Sequence, residues 1–220
     1  MGLITCHIAS IPAREQSLRQ VLNAIIPQVD KVYVSLNGYQ VCPDWLRNLR
    51  NVECEILDNS LGDSAKVLHV NDNKGICLLL DDDLLVNHTY AKYLCSGVIK
   101  YNGLVSLHGR KYLSGASFKR WVGNYRCLGT VSEDVHVNLI GSGCCAFSNE
   151  RLHIDISDFK RKNMADCFLS KVATEQGVPM IVLKHEAGYI RYLPPADGQT
   201  IWRTTTDYSY HTEILKSFIK

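Results

Sequence analysis

Apolar residues along this 220-residue chain recur in two rhythms. Residues 3 to 11, Leu-Ile-Thr-Cys-His-Ile-Ala-Ser-Ile, form an apolar run of strand length; after Pro12 the spacing changes, and Leu18, Val21, Leu22 and Ile25 fall on one helical face. The alternation then repeats. Lys31 to Leu36 predicts a strand stopped by Asn37-Gly38, Pro43 to Leu49 a short helix, and Val52 to Leu57 a third strand. Residues 62 to 70 predict a helix, 75 to 80 (Gly-Ile-Cys-Leu-Leu-Leu) a buried strand, 89 to 102 an amphipathic helix and 103 to 109 another strand. Further on, 135 to 148 reads as an extended segment with a turn at Gly141-Ser142-Gly143. Residues 163 to 177 read as a helix ended by Gly177, and 178 to 184 as a strand. Gly188, Pro194, Pro195 and Gly198 mark 186 to 205 as a loop, and 206 to 220 as a helical tail.

Strands alternating with helices predict an α/β fold, a mostly parallel central sheet with helices on both faces. No repeat or low-complexity linker divides the chain, so 1–205 is expected to form a single domain. Open sheets of this kind bind ligands beyond the carboxyl ends of their strands. Ser10, Arg14 and Asn37 follow the first two strands and should line that edge, and Asp81, Asp82 and Asp83 end the 75–80 strand there.

Composition narrows the function. With 46% hydrophobic and 21% charged residues the chain can bury a full core, and 24 Lys and Arg against 22 Asp and Glu give a formal charge of only +2. Such a balance argues against nucleic acid as a partner. No basic leader with an apolar stretch opens the chain, and no run approaches the roughly 18 apolar residues of a spanning helix. Nine cysteines, an odd number without a C-x-x-C pair, fit neither a disulfide framework nor a zinc knuckle and suit the cytoplasm.

Three adjacent carboxylates at an apolar strand end would repel one another, and they call for a positive charge. Asp81 and Asp83, one residue apart, could share a hard divalent cation, Mn2+ or Mg2+, which would in turn hold a diphosphate. A solvated loop or a cap for the next helix is the alternative. His108 ends a strand beside Gly109, where it could touch a ligand or be tied to backbone in the core. Gly141, Ser142 and Gly143 would allow close backbone approach, or form a plain turn. Trp121, Tyr189, Tyr192 and Trp202 could stack on a ligand ring or plug the core, and residues 118 to 126 interleave basic and aromatic side chains in a solvated or ligand-facing loop.

The ordered pieces Ser-Ile-Pro-Ala-Arg-Glu (10–15), Leu-Asn-Gly-Tyr (36–39), Gly-Asp-Ser-Ala-Lys (62–66), Leu-Asp-Asp-Asp-Leu (80–84), Val-Ser-Leu-His-Gly-Arg (105–110), Ile-Gly-Ser-Gly (140–143) and Asn-Met-Ala-Asp-Cys (163–167) together resemble a bacterial glycosyltransferase of the GT-A fold, similar to glycosyltransferase family 2. The likeness spans about residues 3 to 202. It implies a Rossmann-like nucleotide-sugar half, 1–103, and an acceptor half, 104–205. By position, Ser10, Pro12 and Arg14 would cup the base and phosphates, with Asn37, Asp63 and Lys66 as further donor contacts. Asp81 would face ribose or sugar and share the metal, Asp83 would ligate it directly, and Asp82 could serve either task. Asp166 matches the catalytic base, although a carboxylate in the first turn of a helix also serves as a cap. His185 would complete the metal shell. His108 and the 141–143 turn would meet the acceptor or the donor sugar. Asn87-His88-Thr89 departs from the family's usual proline and aspartate after the acidic motif.

The activity so implied is metal-dependent, inverting transfer from a nucleotide-diphosphate sugar, with UDP the expected nucleotide, to a glycan or lipid-linked acceptor in surface polysaccharide synthesis. A lipid-linked acceptor would place the protein at the inner face of the membrane, and a chain close to a bare catalytic core would act with a partner glycosyltransferase or as part of a larger assembly. A sugar-phosphate nucleotidyltransferase would want a glycine-rich loop after the first strand, and none is present. A non-catalytic glycan-binding protein of the same fold is the reading from another class.

Overall fold

The computed structural model describes residues 2–194 and 205–220. Its first half alternates as the pattern predicts: β1 (Leu3–Ser10), α1 (Glu15–Ile25), β2 (Lys31–Asn37), α2 (Asp44–Arg47), β3 (Val52–Leu57), β4 (Gly75–Leu80), β5 (Leu84–Val86) and α3 (Tyr90–Tyr101). Then follow β6 (Leu104–Ser106), β7 (Gly109–Lys111), β8 (Gly123–Tyr125), β9 (Val135–His136), β10 (Leu139–Ile140), β11 (Cys144–Ser148), α4 (Ala165–Glu175), β12 (Met180–Val182), β13 (Ile190–Tyr192) and α5 (Ser209–Phe218).

Eight strands form the central sheet in the order β3-β2-β1-β4-β11-β6-β12-β9. The β3-β2-β1-β4 block is parallel, β11 runs antiparallel between β4 and β6, and β12 is parallel to β6. Insertion of β11 carries the 141–143 turn to the carboxyl end of β4, because Cys144 pairs with Leu80.

The two-residue period of the strands divides the core. Cys6 and Ile8 of β1 and Leu78 and Leu80 of β4 face α1 and α3, whereas Cys77 and Leu79 face the side covered by α4 and α5. On α1, Leu18, Val21, Leu22 and Ile25 are fully buried, and each stabilises the layer by roughly 1.5–3 kcal/mol. The helix face read from sequence is therefore the face that holds α1 to the sheet. The tail joins the core as well, through Leu215, Phe218 and Ile219 of the α5 region.

Two segments depart from the expected elements. Residues 62 to 70 form a 3-10 turn, Gly62–Val67, in place of a regular helix. Asn37 Nδ2 donates to the Gly62 carbonyl (2.8 Å) and the Ser35 hydroxyl to that of Ala65 (3.0 Å), so carbonyls that an α-helix would use are committed to β2. The 186–205 loop contains the short strand β13, paired with β5, which holds that segment against the acidic strand end.

Candidate active site

The cleft lies at the carboxyl edge of the sheet and encloses about 710 Å³, a volume suited to a nucleotide-sized ligand. Ser10 ends β1, and the following Pro12–Arg14 turn swings Arg14 across the edge. Its Nη1 donates to Asp82 Oδ1 at 3.0 Å and to Asp83 Oδ2 at 2.5 Å. Lys66, almost fully buried in the Gly62–Val67 turn, places Nζ 2.5 Å from Asp81 Oδ1. Each of the three aspartates thus already has a cation belonging to the protein.

That arrangement modifies the expectation that the triplet must find its positive charge outside the chain. Around the strand end the carboxylates of Asp63, Asp81, Asp82 and Asp83 lie with Arg14 and Lys66, while Arg110, Arg126, Lys162 and Asp166 also line the cleft. Burial raises the Asp82 carboxyl, with Arg14 pulling it back. Burial and the neighbouring Asp81 push Asp83 up to about 7 despite Arg14. Asp63 rises to about 6, chiefly through burial, which outweighs Lys66. For Lys66, burial disfavours the ammonium, but Asp81 and Asp63 outweigh it and the pKa rises.

The donors at this end of the cleft are of the kind a hard cation takes. Asp82 Oδ2 is buried without a hydrogen bond of normal geometry, as is the Ser10 hydroxyl beside it, and the neighbouring side chains of Asp81 and Asp83 offer carboxylate oxygens. Among the described residues no group of three or more His, Cys, Asp and Glu is arranged around one metal position. An ion held by Asp81 and Asp83 would therefore complete its shell with water and phosphate oxygens.

Asn37 also points at the cleft with one unused group: its Nδ2 is engaged by Gly62, while its buried Oδ1 has no partner. Such an acceptor suits an N–H or O–H of a ligand.

On the opposite wall, glycines set the spacing. A Cβ on Gly141 would come within 2.8 Å of the His108 side chain, and one on Gly143 would overlap the Asp81 carboxylate. The Gly143 carbonyl accepts from Asp81 N–H at 2.9 Å, locking the turn to the acidic strand end. Asp166 stands in the first turn of α4, and its Oδ1 accepts from both the backbone N–H and the hydroxyl of Ser142, each at 2.7 Å. The helix start is served from elsewhere, since Asp63 Oδ2 accepts from Ala165 N–H at 3.3 Å. Asp166 is thus held toward the cleft by the turn, and its carboxylate bonds run to Ser142.

Thirteen of the residues picked out from sequence line this one cleft: Ser10, Arg14, Asn37, Asp63, Lys66, the three aspartates, His108, the 141–143 turn and Asp166. Pro12 is exposed and outside it, and acts by starting the turn that carries Arg14. His185 is not brought to the aspartates. It is buried, with Nδ1 2.8 Å from the Leu183 carbonyl and Nε2 3.2 Å from that of Arg126, so it clasps the 126–131 loop to the end of β12 instead. Tyr192 lines the cleft, whereas Tyr189 packs on Tyr93 and Trp121 lies under Arg110. Trp202 lies outside the described residues.

Sequence reading missed Tyr208 and His211, which join Phe118 of the 118–126 segment in an aromatic wall of the cleft. Phe118 stacks on Tyr208 (5.3 Å between ring centres) and meets His211 (4.8 Å), with the Arg110 guanidinium over Phe118. Tyr208 and His211 come from the tail, and only tertiary packing of α5 on α4 delivers them. Arg110 had a signal, its place two residues beyond a strand-end histidine.

No protein-family model and no curated protein sequence matches the chain. Solved structures do. A structure of S. aureus TarS residues 1–349 superposes with a TM-score of 0.56 at 13% identity, covering 98% of this chain and 70% of that one. A second, of the same protein in complex with UDP-GlcNAc, gives 0.56 at 15% identity, with 98% and 71% covered. The fold is GT-A. The parallel β3-β2-β1-β4 block is then the GT-A sheet half that ends in Ser10, Asn37 and the aspartates, and antiparallel β11 brings the opposite wall to it.

Proposed function

We propose that this protein is a divalent-cation-dependent, inverting glycosyltransferase that moves a sugar from a nucleotide-diphosphate donor, a UDP-sugar, to a hydroxyl of a glycan or lipid-linked glycan. One observation carries the reading: in a GT-A fold, an acidic strand end paired with buried Lys66 and half-buried Arg14 faces the Asp166 carboxylate across one cleft. The TarS complex with UDP-GlcNAc makes UDP-GlcNAc the first donor to try.

Each side chain then has a task. Asn37 Oδ1 and Ser10 receive the nucleoside. A Mn2+ or Mg2+ ion at Asp81 and Asp83 would neutralise the diphosphate as it leaves. Lys66 and Arg14 add fixed positive charge on the same side, with Arg14 released from Asp83 when the donor settles. Asp166 takes the proton of the acceptor hydroxyl as that oxygen attacks the anomeric carbon from the face opposite the diphosphate. Its bond to Ser142 fixes the carboxylate's orientation, a task on which a displaced base would lose rate steeply. The Phe118–Tyr208–His211 wall offers stacking faces to the acceptor.

A second reading has specific support. Because Arg14 and Lys66 already answer the aspartates, donor binding without a metal is compatible with the charge arrangement. Assays of a nucleotide-sugar panel with manganese, magnesium and EDTA separate the two. Manganese-dependent release of UDP supports the first, undiminished release in EDTA the second, and no release from any donor removes the enzyme reading.

The acceptor's location enters through the described residues only as far as this: no helix among them is long and apolar enough to cross a membrane. Work at the inner face of the membrane, with a partner glycosyltransferase, belongs to the lipid-linked form of the proposal.

A further inference from the structure

Cys42 and Cys54 lie away from the cleft. Cys42 stands in the loop between β2 and α2, and Cys54 is the third residue of β3, the outermost strand at that edge of the sheet. The two-residue period of β3 turns Cys54 away from exposed Glu53 and Glu55, and both sulfur-bearing residues join the apolar layer that holds Leu36, Tyr39 and Leu46. Their sulfurs are 2.7 Å apart, close to the roughly 2.05 Å of an S–S bond, and both are free thiols. The surrounding backbone holds them there. Cys54 pairs with Val34 of β2, the Gly38 N–H donates to the Leu57 carbonyl at 2.6 Å, and beyond the loop the Leu46 N–H donates to that of Pro43 at 2.9 Å. Of the nine cysteines only Cys54 is not buried, so a reagent from solvent meets this pair first.

We propose that Cys42 and Cys54 form a thiol–disulfide exchange site, which a low-molecular-weight disulfide such as oxidised glutathione closes into a reversible internal staple. The site is independent of what the cleft binds. In the first step the Cys54 sulfur attacks one sulfur of the small disulfide; that S–S bond breaks, and the departing small thiol takes the Cys54 proton. In the second the Cys42 sulfur attacks that of Cys54; the mixed disulfide breaks, the second small thiol leaves with the Cys42 proton, and the Cys42–Cys54 bond forms. Two protein thiols are oxidised and one small disulfide is reduced to two thiols. Burial and the contact with Cys42 push the Cys54 thiol up to about 12, so its thiolate is scarce at neutral pH and exchange quickens as pH rises.

The staple closes a loop between positions 12 apart. That loop leaves Asn37 and carries Tyr39, whose hydroxyl donates to the Ile11 carbonyl at 3.2 Å, just ahead of the turn that bears Arg14. Closing it restricts the unfolded chain, which should raise Tm by about 4–16 °C.

Peptide mapping of the reduced full-length protein after incubation with oxidised glutathione tests this. Remaining thiols are blocked with N-ethylmaleimide before digestion. Trypsin cuts after Lys31, Arg47, Arg50 and Lys66, so Cys42 leaves on residues 32–47 and Cys54 on residues 51–66, each the single cysteine of its peptide. The expected product joins these two peptides, has lost two hydrogens and separates with dithiothreitol. It should form at least about tenfold faster than a bond between any other two cysteines, because these sulfurs are already in contact. Cys42→Ser should stop at a glutathione adduct on Cys54, and Cys54→Ser should leave Cys42 unmodified; neither variant should gain Tm on oxidation. Circular dichroism shows that each is folded, and the wild-type map needs neither. Recovery of both peptides as N-ethylmaleimide adducts, or of either cysteine joined to a third, overturns the proposal, as does a Cys42–Cys54 bond that leaves Tm unchanged.

Discussion

The Ser142 hydroxyl and backbone N–H both donate to one oxygen of Asp166, each at 2.7 Å. The carboxylate is therefore oriented by the turn it faces, which is what a general base needs. Asp166→Asn should lower sugar transfer by about 10²–10⁴-fold with UDP affinity unchanged. Ser142→Ala removes one of the two bonds, worth about 0.5–1.5 kcal/mol, and should cost about 2- to 12-fold in kcat. Calorimetric UDP binding alongside initial rates checks both; normal turnover by Asp166→Asn would remove the assigned base.

Gly143 sits where any Cβ would overlap the Asp81 carboxylate. Gly143→Ala should displace Asp81 and weaken donor affinity at least tenfold, with a stability loss of about 1–3 kcal/mol from overpacking. Gly129→Ala is the control, because a Cβ there meets nothing nearer than 3.5 Å. Equal donor affinity in the two variants would mean that Asp81 plays no part in binding.

Much of this site was legible because strand ends are. Apolar runs of strand length located β1, β2 and β4, parallel topology set their carboxyl ends side by side, and Ser10, Asn37 and Asp81 followed. The turn at 141–143 was visible from its glycines. What pattern could not give was long-range pairing. Arg14 and Lys66 neutralise aspartates 68, 69 and 15 positions away, so the triplet looked more in need of an external ion than it is. His185 was misplaced for a similar reason: its neighbour along the chain is a strand end, but its ring is taken by the carbonyl of Arg126, 59 positions distant. The tail's Tyr208 and His211 reach the cleft only through α5 packing, which no local spacing announces.

Acid titration of the cleft should appear in cation binding. Asp83 keeps its proton up to about 7 and Asp63 up to about 6, above the ordinary carboxylate range. An ion at Asp83 must displace that proton, so Mn2+ affinity should rise as pH increases from 6 through 7 and level off above, with proton release in calorimetry. For folding the sign is opposite: the folded state binds more protons than the unfolded one between about 4 and 7, so these two groups reduce stability as pH rises through that window. Asp83→Asn should remove the steep part of the Mn2+ profile.

His7 gives the reverse trend. Burial holds its pKa down to about 3, and its ring stacks on Tyr33 at 5.0 Å. The unfolded chain takes up this proton below about 6.5 and the folded chain does not, so stability from a neutral His7 is complete above 6.5 and is lost as pH falls toward 3. Urea unfolding at pH 7 and pH 4 should show the stability difference between wild type and His7→Gln shift by about 3 kcal/mol against wild type on acidification. A pH-independent difference would show that His7 is protonated in the folded protein.

Calorimetric titration of UDP into the wild-type protein and into Asp83→Asn, each with Mn2+ and with EDTA, tests the acidic strand end most directly. The account predicts tight binding for wild type with Mn2+, and at least a tenfold loss on removing either the ion or the Asp83 charge. Equal affinity in all four titrations, or no binding in any, would contradict it.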